Sequence, residues 1–197
     1  MARKIPFEKI SSLIYTLPAS EAAWHLIGKL FFKRTEDGIS GGVITETEAY
    51  EQNDPASHSY RGETERNKVM FGPGGFLYVY FVYGKHHCAN VVTGKPGSGE
   101  AVLIRSIAPL YGIEYMQKNR NRSDVKADDL LTGPGNVCKG LAISREDNGT
   151  DLRGDKIMLL EPNFKLKYEI RTSTRIGIKK ATERPWRFTF HLIRDTN

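Results

Sequence analysis

The sequence is poor in cysteine and lacks a long apolar stretch, and each shortage excludes a class of protein. Its two cysteines, Cys88 and Cys138, are too few for a disulfide framework or a four-cysteine zinc site, and they suit a reducing compartment. The longest strongly apolar run, Phe76 to Tyr83, has eight residues, far short of a membrane span. No apolar stretch follows the basic residues near the N-terminus, so no secretory signal is predicted. We therefore expect an intracellular protein without a membrane partner.

Several motifs of cofactor and metal chemistry are also missing. The chain contains neither a Gly-x-x-x-x-Gly-Lys-Ser/Thr loop nor a Gly-x-Gly-x-x-Gly turn behind a predicted strand, which argues against a nucleotide cofactor. It has no His-Glu-x-x-His sequence, and the adjacent His86 and His87 would point to opposite faces of a strand. The sequence thus predicts chemistry that uses neither a cofactor nor a metal ion.

What the sequence does have is an ordinary share of core residues and an excess of basic side chains. Of its 197 residues, 39% are hydrophobic and 26% are charged, which suits one globular domain spanning residues 1–197. The net charge is +6, and residues 163–194 hold nine basic side chains against two acidic ones. Such a surface favours a polyanionic partner, although a solvated basic face without a binding role has the same composition.

The pattern of strand-like and helix-like segments predicts a largely antiparallel α+β domain. Ser20 and Ser123 are expected to cap helices, and Pro109 and Pro134 are expected to begin helices. The predicted helices span 20–31, 109–120, 124–131 and 134–142. The predicted strands span 43–50, 76–83, 86–93, 100–107, 157–161, 164–177 and 187–193.

The segment 45–50, of sequence TETEAY, puts two carboxylates and an aromatic ring on one predicted strand. With strand periodicity, Glu46, Glu48 and Tyr50 share a face, an arrangement that suits acid–base catalysis. Charged residues on an exposed edge strand would give the same pattern without any catalysis. Periodicity alone leaves open which glutamate would act.

The strand that follows carries several tyrosines. Tyr78 and Tyr80 share one face and make a rigid platform for a flat ligand such as a base, whereas the alternate apolar residues, including Phe81, are expected in the core. Tyr83 has the opposite parity and precedes Gly84, where the strand breaks and three potentially cationic side chains follow. An aromatic residue in this setting suits a wedge that enters nucleic acid.

Three polar residues stand in unusual sequence surroundings. Asn90 interrupts an apolar strand, so its buried amide needs partners, which backbone groups alone could provide. Arg105 ends another apolar strand and is expected to pair with Glu48 or Glu46. His58 closely follows the strand that carries the glutamates, so a site role is predicted for it, although a lone loop histidine is usually just solvated.

Many of these segments belong to an ordered series of short blocks. The blocks are TETEAY at 45–50, ASH at 56–58, RN at 66–67, MFGPG at 70–74, LYVY at 77–80, YG at 83–84, CAN at 88–90, VLIR at 102–105 and TGPG at 132–135. Together, over about residues 20–188, the chain resembles the alkyladenine (3-methyladenine) DNA glycosylase family. The resemblance implies a single α+β domain with a curved, mostly antiparallel sheet, flanking helices and a protruding β-hairpin.

The resemblance also implies a monofunctional base-excision repair enzyme that works as a monomer without a cofactor. It would flip alkylated or deaminated purines, of the 3-methyladenine, 7-methylguanine, hypoxanthine and ethenoadenine class, out of duplex DNA and hydrolyse the bond from base to sugar. Glu48 would be the general base that deprotonates the attacking water. Arg105 and the backbone carbonyl of Ile176 would hold that water, and Tyr83 would fill the gap left in the duplex.

Five further residues would contact the flipped base if the resemblance holds. Tyr50 and His58 would stack on one of its faces and Tyr80 on the other. Backbone groups near Ala56 and His58 would read its edge. Asn90 would occupy the place of guanine's 2-amino group and so disfavour normal guanine.

Two other functions fit parts of the sequence. A non-catalytic nucleic-acid-binding domain would explain the basic surface, but it gives no reason for Glu48 and Arg105 to occur together. A carbohydrate hydrolase could use Glu46 and Glu48, since alternate strand residues lie about 7 Å apart, near the separation in inverting glycosidases. The basic charge and the presence of only two tryptophans argue against the hydrolase.

Overall fold

The computed structural model describes residues 7–36, 38–82, 84–122, 124, 126–165 and 167–193. Within these ranges, one eight-stranded sheet with antiparallel pairing packs against three α-helices, so the predicted α+β class is confirmed. The strands are β1 (Leu30–Thr35), β2 (Gly38–Tyr50), β3 (Leu77–Val82), β4 (His86–Thr93), β5 (Glu100–Tyr111), β6 (Ile157–Leu160), β7 (Tyr168–Ser173) and β8 (Arg187–Leu192). The α-helices are α1 (Ala19–Leu26), α2 (Ile113–Arg120) and α3 (Pro134–Gly140). Short 3-10 helices span Ser12–Thr16, Lys68–Phe71, Ala127–Asp129 and Arg145–Asp147.

The long strand β2 organises the sheet. The main order is β3-β4-β5-β2-β1-β6, and β8 pairs with both β2 and β7. Along one side, β2 pairs first with β1, where Leu30 faces Val43, and then with β8, where Glu46 faces Thr189. Along its other side it pairs with β5. The two glutamates of β2 therefore lie inside the sheet, at the point where β8 takes over from β1.

Two glycines let the backbones of β1 and β5 approach β2 closely. A Cβ on Gly41 would lie 2.0 Å from the carbonyl oxygen of Phe31, and a Cβ on Gly42 would lie 1.9 Å from that of Ala108. No side chain fits at either position, and the β2–β5 register shifts between these glycines and again around Glu46. Bulges of this kind bend a strand and increase its twist, which gives the sheet its curvature.

The core lies where the sheet meets the helices. Leu26 of α1, Met116 of α2 and Val137 of α3 all pack into one cluster with buried strand residues such as Phe31 and Ile104. Among the described residues, no helix combines the length and apolar character needed to cross a membrane.

The first helix differs at its start from the prediction. Ser20 is not its cap, because Pro18 occupies the N-cap position and offers no side-chain hydrogen bond. Two carboxylates from elsewhere in the chain accept the unpaired amides instead. Ala19 N–H donates to Glu100 at 2.7 Å, and Ser20 N–H donates to Glu51 at 3.4 Å.

The end of this helix also differs. The prediction extended it to residue 31, but it ends at Leu26, and Leu30 begins the unpredicted strand β1. Gly28 has a positive φ of 82°, a conformation that glycine adopts readily and that ends a helix. The apolar residues after this turn are fully buried between β2 and β6, where they pair as a strand.

The two helices predicted near residues 109 and 124 are shorter than expected. Pro109 does not begin a helix, because β5 continues to Tyr111 and Pro109 lies opposite Gly42, at the bulge where a strand tolerates proline. Helix α2 starts only after Gly112. In the described part of the second region, the helical element is the 3-10 turn Ala127–Asp129, and Thr132 beyond it forms a β-bridge with Ser106. Ser123, the predicted cap, lies outside the described residues.

Two strand predictions near the site need correction as well. The predicted strand 164–177 is shorter, since β7 ends at Ser173 and the chain then turns toward β2. Phe81 was expected in the core, but it is 44% exposed. Its strand leaves the core at this end, and β3 and β4 together form the expected projecting hairpin.

Candidate active site

Glu48 is a fully buried carboxylate with three hydrogen-bond donors around it. The backbone N–H of Ile176 donates to Oε1 at 2.7 Å, and the hydroxyl of Tyr50 donates to Oε2 at 2.9 Å. Arg105 Nη1 lies 3.3 Å from the same Oε2. Because Glu48 sits on a strand paired along both sides, the alternative of an exposed edge strand is wrong.

Glu46 forms a separate ion-pair network beside it. Its Oε1 accepts hydrogen bonds from Arg105 Nε at 2.8 Å and from Arg187 Nε at 2.5 Å. Its Oε2 accepts a hydrogen bond from Ser106 Oγ at 3.1 Å. Arg105 therefore bridges both glutamates, which confirms the expectation that this buried arginine pairs with a carboxylate of the segment 45–50.

The surroundings shift the pKa values of the two carboxyl groups in opposite directions. Burial raises the pKa of Glu48, and its hydrogen bonds and the charge of Arg105 offset this only in part. Burial would also raise the pKa of Glu46, but hydrogen bonds from Arg187 and Arg105 outweigh it and hold that pKa below its usual range. A pair of carboxyl groups separated in this way usually has distinct roles, and Glu48 is the one better suited to accept a proton.

An aromatic cluster of His58, Tyr78 and Tyr80 lies near Tyr50, the hydrogen-bond partner of Glu48. Tyr78 and Tyr80 share a face of β3 as expected, with ring centres 5.5 Å apart. The ring of His58 contacts Tyr80 edge to face, with centres 4.4 Å apart and an interplanar angle of 77°. His58 Nδ1 shares a hydrogen bond of 3.1 Å with the hydroxyl of Tyr78. The structure thus brings His58 and Tyr80 into direct contact rather than holding them apart as two parallel walls.

The loop that carries His58 is fixed by a buried amide. Asn67 Nδ2 donates to the carbonyls of His58, at 2.9 Å, and Gly62, at 3.1 Å. Burial, together with the charge of Arg66, lowers the pKa of His58 below its ordinary value. This shift favours the neutral imidazole.

Two other predicted base-binding residues have hydrogen bonds within the protein. Asn90 is buried, and its Nδ2 donates to the carbonyl of Tyr78 at 3.1 Å. Ala56 N–H donates to Oδ1 of Asp54 at 3.1 Å. The backbone partner of Asn90 matches the purely structural alternative considered for it, and the amide of Ala56 is already engaged by the protein.

The predicted wedge residue, Tyr83, lies outside the described residues. Beside it, Gly84 has a positive φ of 63°, and the rings of Phe81 and His87 lie 5.0 Å apart across the hairpin. In the part of the chain that the structure describes, no three His, Cys, Asp or Glu side chains are grouped so as to hold a metal ion.

Comparison with known proteins identifies the family to which these residues belong. The family model described as methylpurine-DNA glycosylase matches residues 13–192. The chain belongs to the methylpurine-DNA glycosylase family. It is a DNA glycosylase, a hydrolase acting on N-glycosyl bonds, and its substrate is therefore DNA. Membership of this family rules out the non-catalytic binding domain and the carbohydrate hydrolase considered above.

Individual relatives support the same membership along most of the chain. A protein of Carboxydothermus hydrogenoformans is 50% identical over 148 residues, 75% of this chain and 76% of the relative. One from Methanoculleus marisnigri is 44% identical over 183 residues, 88% of this chain and 94% of the relative. One from Francisella tularensis is 44% identical over 178 residues, 89% and 91% of the two chains. Each carries the name "Putative 3-methyladenine DNA glycosylase".

Sequence reasoning missed three residues of this glycosylase's site. Arg187 helps to hold Glu46, while Asp54 and Arg175 form an ion pair beside Tyr50. Arg187 lies in the predicted strand 187–193, but the sequence did not indicate that it pairs with Glu46. Asp54 and Arg175 lie in loops far apart in sequence, and no local pattern connects them.

Proposed function

We propose that this glycosylase hydrolyses the bond between sugar and base at damaged purines in duplex DNA, with Glu48 as the general base. The observation that carries the proposal is the setting of Glu48, a fully buried carboxylate with a raised pKa, held by donors on both oxygens, of which Tyr50 lies near the aromatic cluster. A base of raised pKa accepts a proton more readily near neutral pH than an ordinary glutamate does.

The reaction requires one water and the side chains described above. Glu48 accepts a proton from the water while the water oxygen attacks C1′ of the sugar. The bond from C1′ to the purine nitrogen breaks, and the departing base keeps the electron pair. The products are a free base and an abasic site. Arg105, fixed by Glu46, is proposed to hold the water together with the backbone carbonyl of Ile176, whose N–H donates to Glu48.

Hydrolysis by water makes the enzyme monofunctional. The groups that donate hydrogen bonds to Glu48 come from Ile176, Tyr50 and Arg105, so no lysine amine takes part in these contacts. Without an amine nucleophile, no covalent link to the sugar forms and the DNA strand stays intact after the base has left. The proposed hydrolysis uses no cofactor.

The aromatic cluster is proposed to hold the flipped base. Because the rings of His58 and Tyr80 touch, a base enters only when they part. Loss of one edge-to-face contact costs about 0.5–1.5 kcal/mol. A base stacked on an aromatic ring regains about 1–3 kcal/mol per contact, so insertion is favourable if Tyr50, His58 and Tyr80 all stack on it.

The remaining predicted residues complete the proposal. Asn90 is proposed to exclude the 2-amino group of normal guanine, and Tyr83 to occupy the space that the flipped nucleotide leaves. Backbone groups near Ala56 and His58 are proposed to read the edge of the base. Alkylated and deaminated purines suit this site because stacking is tolerant of the base and because flipping costs least for a damaged or mispaired base.

An excision assay tests the proposed substrate class. Duplexes that carry one hypoxanthine or one ethenoadenine are incubated with the protein and then treated with alkali, which cleaves DNA at abasic sites. We expect cleavage at the lesion only after alkali, and none in the matched undamaged duplex. Intact lesion strands after alkali would contradict the proposal, and cleavage without alkali would contradict the monofunctional reaction.

A further inference from the structure

A fully buried ion pair, Asp54 with Arg175, lies behind the proposed site. Both side chains are completely shielded from solvent. Arg175 Nη1 faces Oδ2 of Asp54, and Nη2 donates to Oδ1 at 3.1 Å, so the ion pair is bidentate. Because removing two charges from water is costly, a buried pair is a poor source of stability by itself. Its contacts suggest a different purpose.

On one side, Arg175 holds the strand that carries Glu48. Its Nη1 also donates to the carbonyl of Ala49 at 2.9 Å, and its guanidinium carbon lies 4.7 Å from the centre of the Tyr50 ring. The next residue, Ile176, donates its N–H to Glu48. Arg175 and Ile176 together thus contact three consecutive residues at the end of β2.

On the other side, Asp54 shapes the loop proposed to read the base. Its Oδ1 accepts the N–H of Ala56, and its backbone carbonyl accepts the N–H of Ser57 at 2.8 Å. These bonds form the turn that leads to His58. The carboxylate of Asp54 therefore binds both Arg175 and the amide of Ala56.

Arg175 uses the shape of its guanidinium in several contacts at once. Its guanidinium carbon lies over two rings, 4.7 Å from the centre of Tyr50 and 5.3 Å from the centre of Trp186. Its Nη2 also donates to the carbonyl of Ala181 at 3.3 Å. Among the described residues, its buried Nε has no hydrogen-bond partner. A planar guanidinium stacks on aromatic rings and binds a carboxylate with two parallel hydrogen bonds, whereas an ammonium group is a compact point charge.

We propose that Asp54 and Arg175 are positioning residues. Their ion pair holds the segment 56–58, proposed to read the base, against the end of β2 that carries Glu48. The inference rests on the proposed role of Glu48 as general base. The pair does not touch the substrate. It fixes the amide of Ile176 against Glu48 and the ring of Tyr50 beside it, so that a base seated against the segment 56–58 lies at a fixed distance from the activated water.

The test compares Arg175→Gln, Arg175→Lys and Asp54→Asn with a matched control. Asp147→Asn breaks a different buried ion pair, since Asp147 lies 2.9 Å from Lys33 and has a side chain that is only 4% exposed. Single-turnover excision of hypoxanthine is measured across pH, together with the melting temperature of each variant. The other charged or titratable groups around Glu48 are unchanged in all four variants; they are Glu46, Tyr50, Cys88, Arg105 and Arg187.

A positioning role predicts a loss of rate and a shifted pH profile. Misplacement of about 1 Å at a reacting centre can cost about 10²-fold, and we expect a loss of this order for Arg175→Gln and Asp54→Asn. The hydrogen bond from Ile176 lowers the pKa of Glu48, so its loss should move the acid limb to higher pH. Asp147→Asn should lose melting temperature but keep the wild-type rate and profile.

Several outcomes would overturn the inference. Folded Arg175→Gln or Asp54→Asn protein with a wild-type rate and acid limb would do so, as would the same shift of the limb in Asp147→Asn. If Arg175→Gln does not fold, Arg175→Lys retains the charge without the guanidinium, and a wild-type rate in that variant would also contradict the role. Loss of excision in Glu48→Gln beside a normal Arg175→Gln would contradict this inference alone, whereas normal excision in Glu48→Gln would contradict the proposed function.

Discussion

At the scale of single residues, two glutamates on one strand differ because different partners surround them. Glu46 has two arginines and a serine hydroxyl, which together hold its charge. Glu48 is more deeply buried and shares only one of these arginines. The same residue type at alternate positions thus provides one fixed counter-ion and one proton acceptor.

The pH dependence of excision follows from this difference. Glu48 must be ionised to act as a base, so excision of a neutral lesion should rise with pH through the raised pKa of Glu48. Burial is the main cause of that raised pKa, and the charge of Glu46 adds to it. Glu46→Gln removes this charge, lowers the pKa of Glu48 and should move the acid limb to lower pH. Single-turnover rates across pH test this, and an unmoved or upward-moved limb would count against it.

Asn90 gives a second prediction at this scale. Its buried amide is proposed to clash with guanine's 2-amino group, so Asn90→Ser should raise excision of undamaged guanine relative to hypoxanthine. The variant also loses a hydrogen bond to the carbonyl of Tyr78, worth about 0.5–1.5 kcal/mol, so melting temperature is measured in parallel. An unchanged guanine-to-hypoxanthine ratio would remove Asn90 from the specificity of the site.

The sequence predicted the carboxylate pairing of Arg105 but not the ion pair between Asp54 and Arg175. The pairing of Arg105 was predictable, because a guanidinium at the end of an apolar strand needs a carboxylate, and two lay on the predicted strand 43–50. The pair of Asp54 and Arg175 was not predictable, because 121 residues separate its members and the sequence pattern placed Arg175 in the strand 164–177 rather than in a loop. Only the folding of both loops onto Tyr50 brings them together.

At the scale of elements, the hairpin of β3 and β4 is the part that reaches beyond the core. Its base holds Tyr78 in the interior, while Phe81 farther along is largely exposed. The predicted wedge Tyr83 follows this exposed end directly in sequence.

If Tyr83 is a wedge, its removal should affect DNA and not stability. Tyr83→Ala should leave the melting temperature nearly unchanged and weaken base flipping by one or two stacking contacts, about 1–3 kcal/mol each. Flipping is followed with a fluorescent base in the duplex. Tyr111→Ala is the control for loss of a partly exposed tyrosine that packs within the protein, since Tyr111 is 45% exposed at the end of β5 and contacts Phe32. A large fall in melting temperature with normal flipping for Tyr83→Ala would contradict the wedge.

Element boundaries were predictable where sequence signals were local. Strand β4 has the predicted bounds, because turn-forming residues lie on both sides of it. Strand β1 was missed, since its apolar residues continue the stripe of the preceding helix and only Gly28 separates them. Pro109 was misread because a proline at a bulge and a proline at the start of a helix look alike in sequence.

At the scale of the whole molecule, the basic excess fits a protein whose substrate is DNA. Lys179 and Lys180 are exposed on the same loop as Ile176, close in sequence to the site. Lys118 is exposed as well, but it belongs to α2, which packs against α3. These lysines allow the contribution of charge near the site to be separated from that of overall charge.

We expect the charge near the site to set the salt dependence of binding. If Lys179 and Lys180 contact phosphates, each substitution by Gln should weaken binding to damaged and undamaged duplex alike. It should also reduce the slope of log Kd against log salt by about one. Lys118→Gln changes the net charge equally and should leave the slope unchanged. Equal slopes for all three variants would show that these two lysines make no phosphate contact.

The central claim, that Glu48 is the general base, is tested most directly by single-turnover excision with two paired variants. Glu48→Gln and Glu46→Gln each remove one carboxylate of similar size from the same strand, and circular dichroism and duplex binding report whether the fold and affinity persist. We predict that Glu48→Gln binds the lesion duplex but excises hypoxanthine at least about 10²-fold more slowly than wild type, while Glu46→Gln loses less. Near-normal excision by Glu48→Gln, with Glu46→Gln inactive, would contradict the assignment.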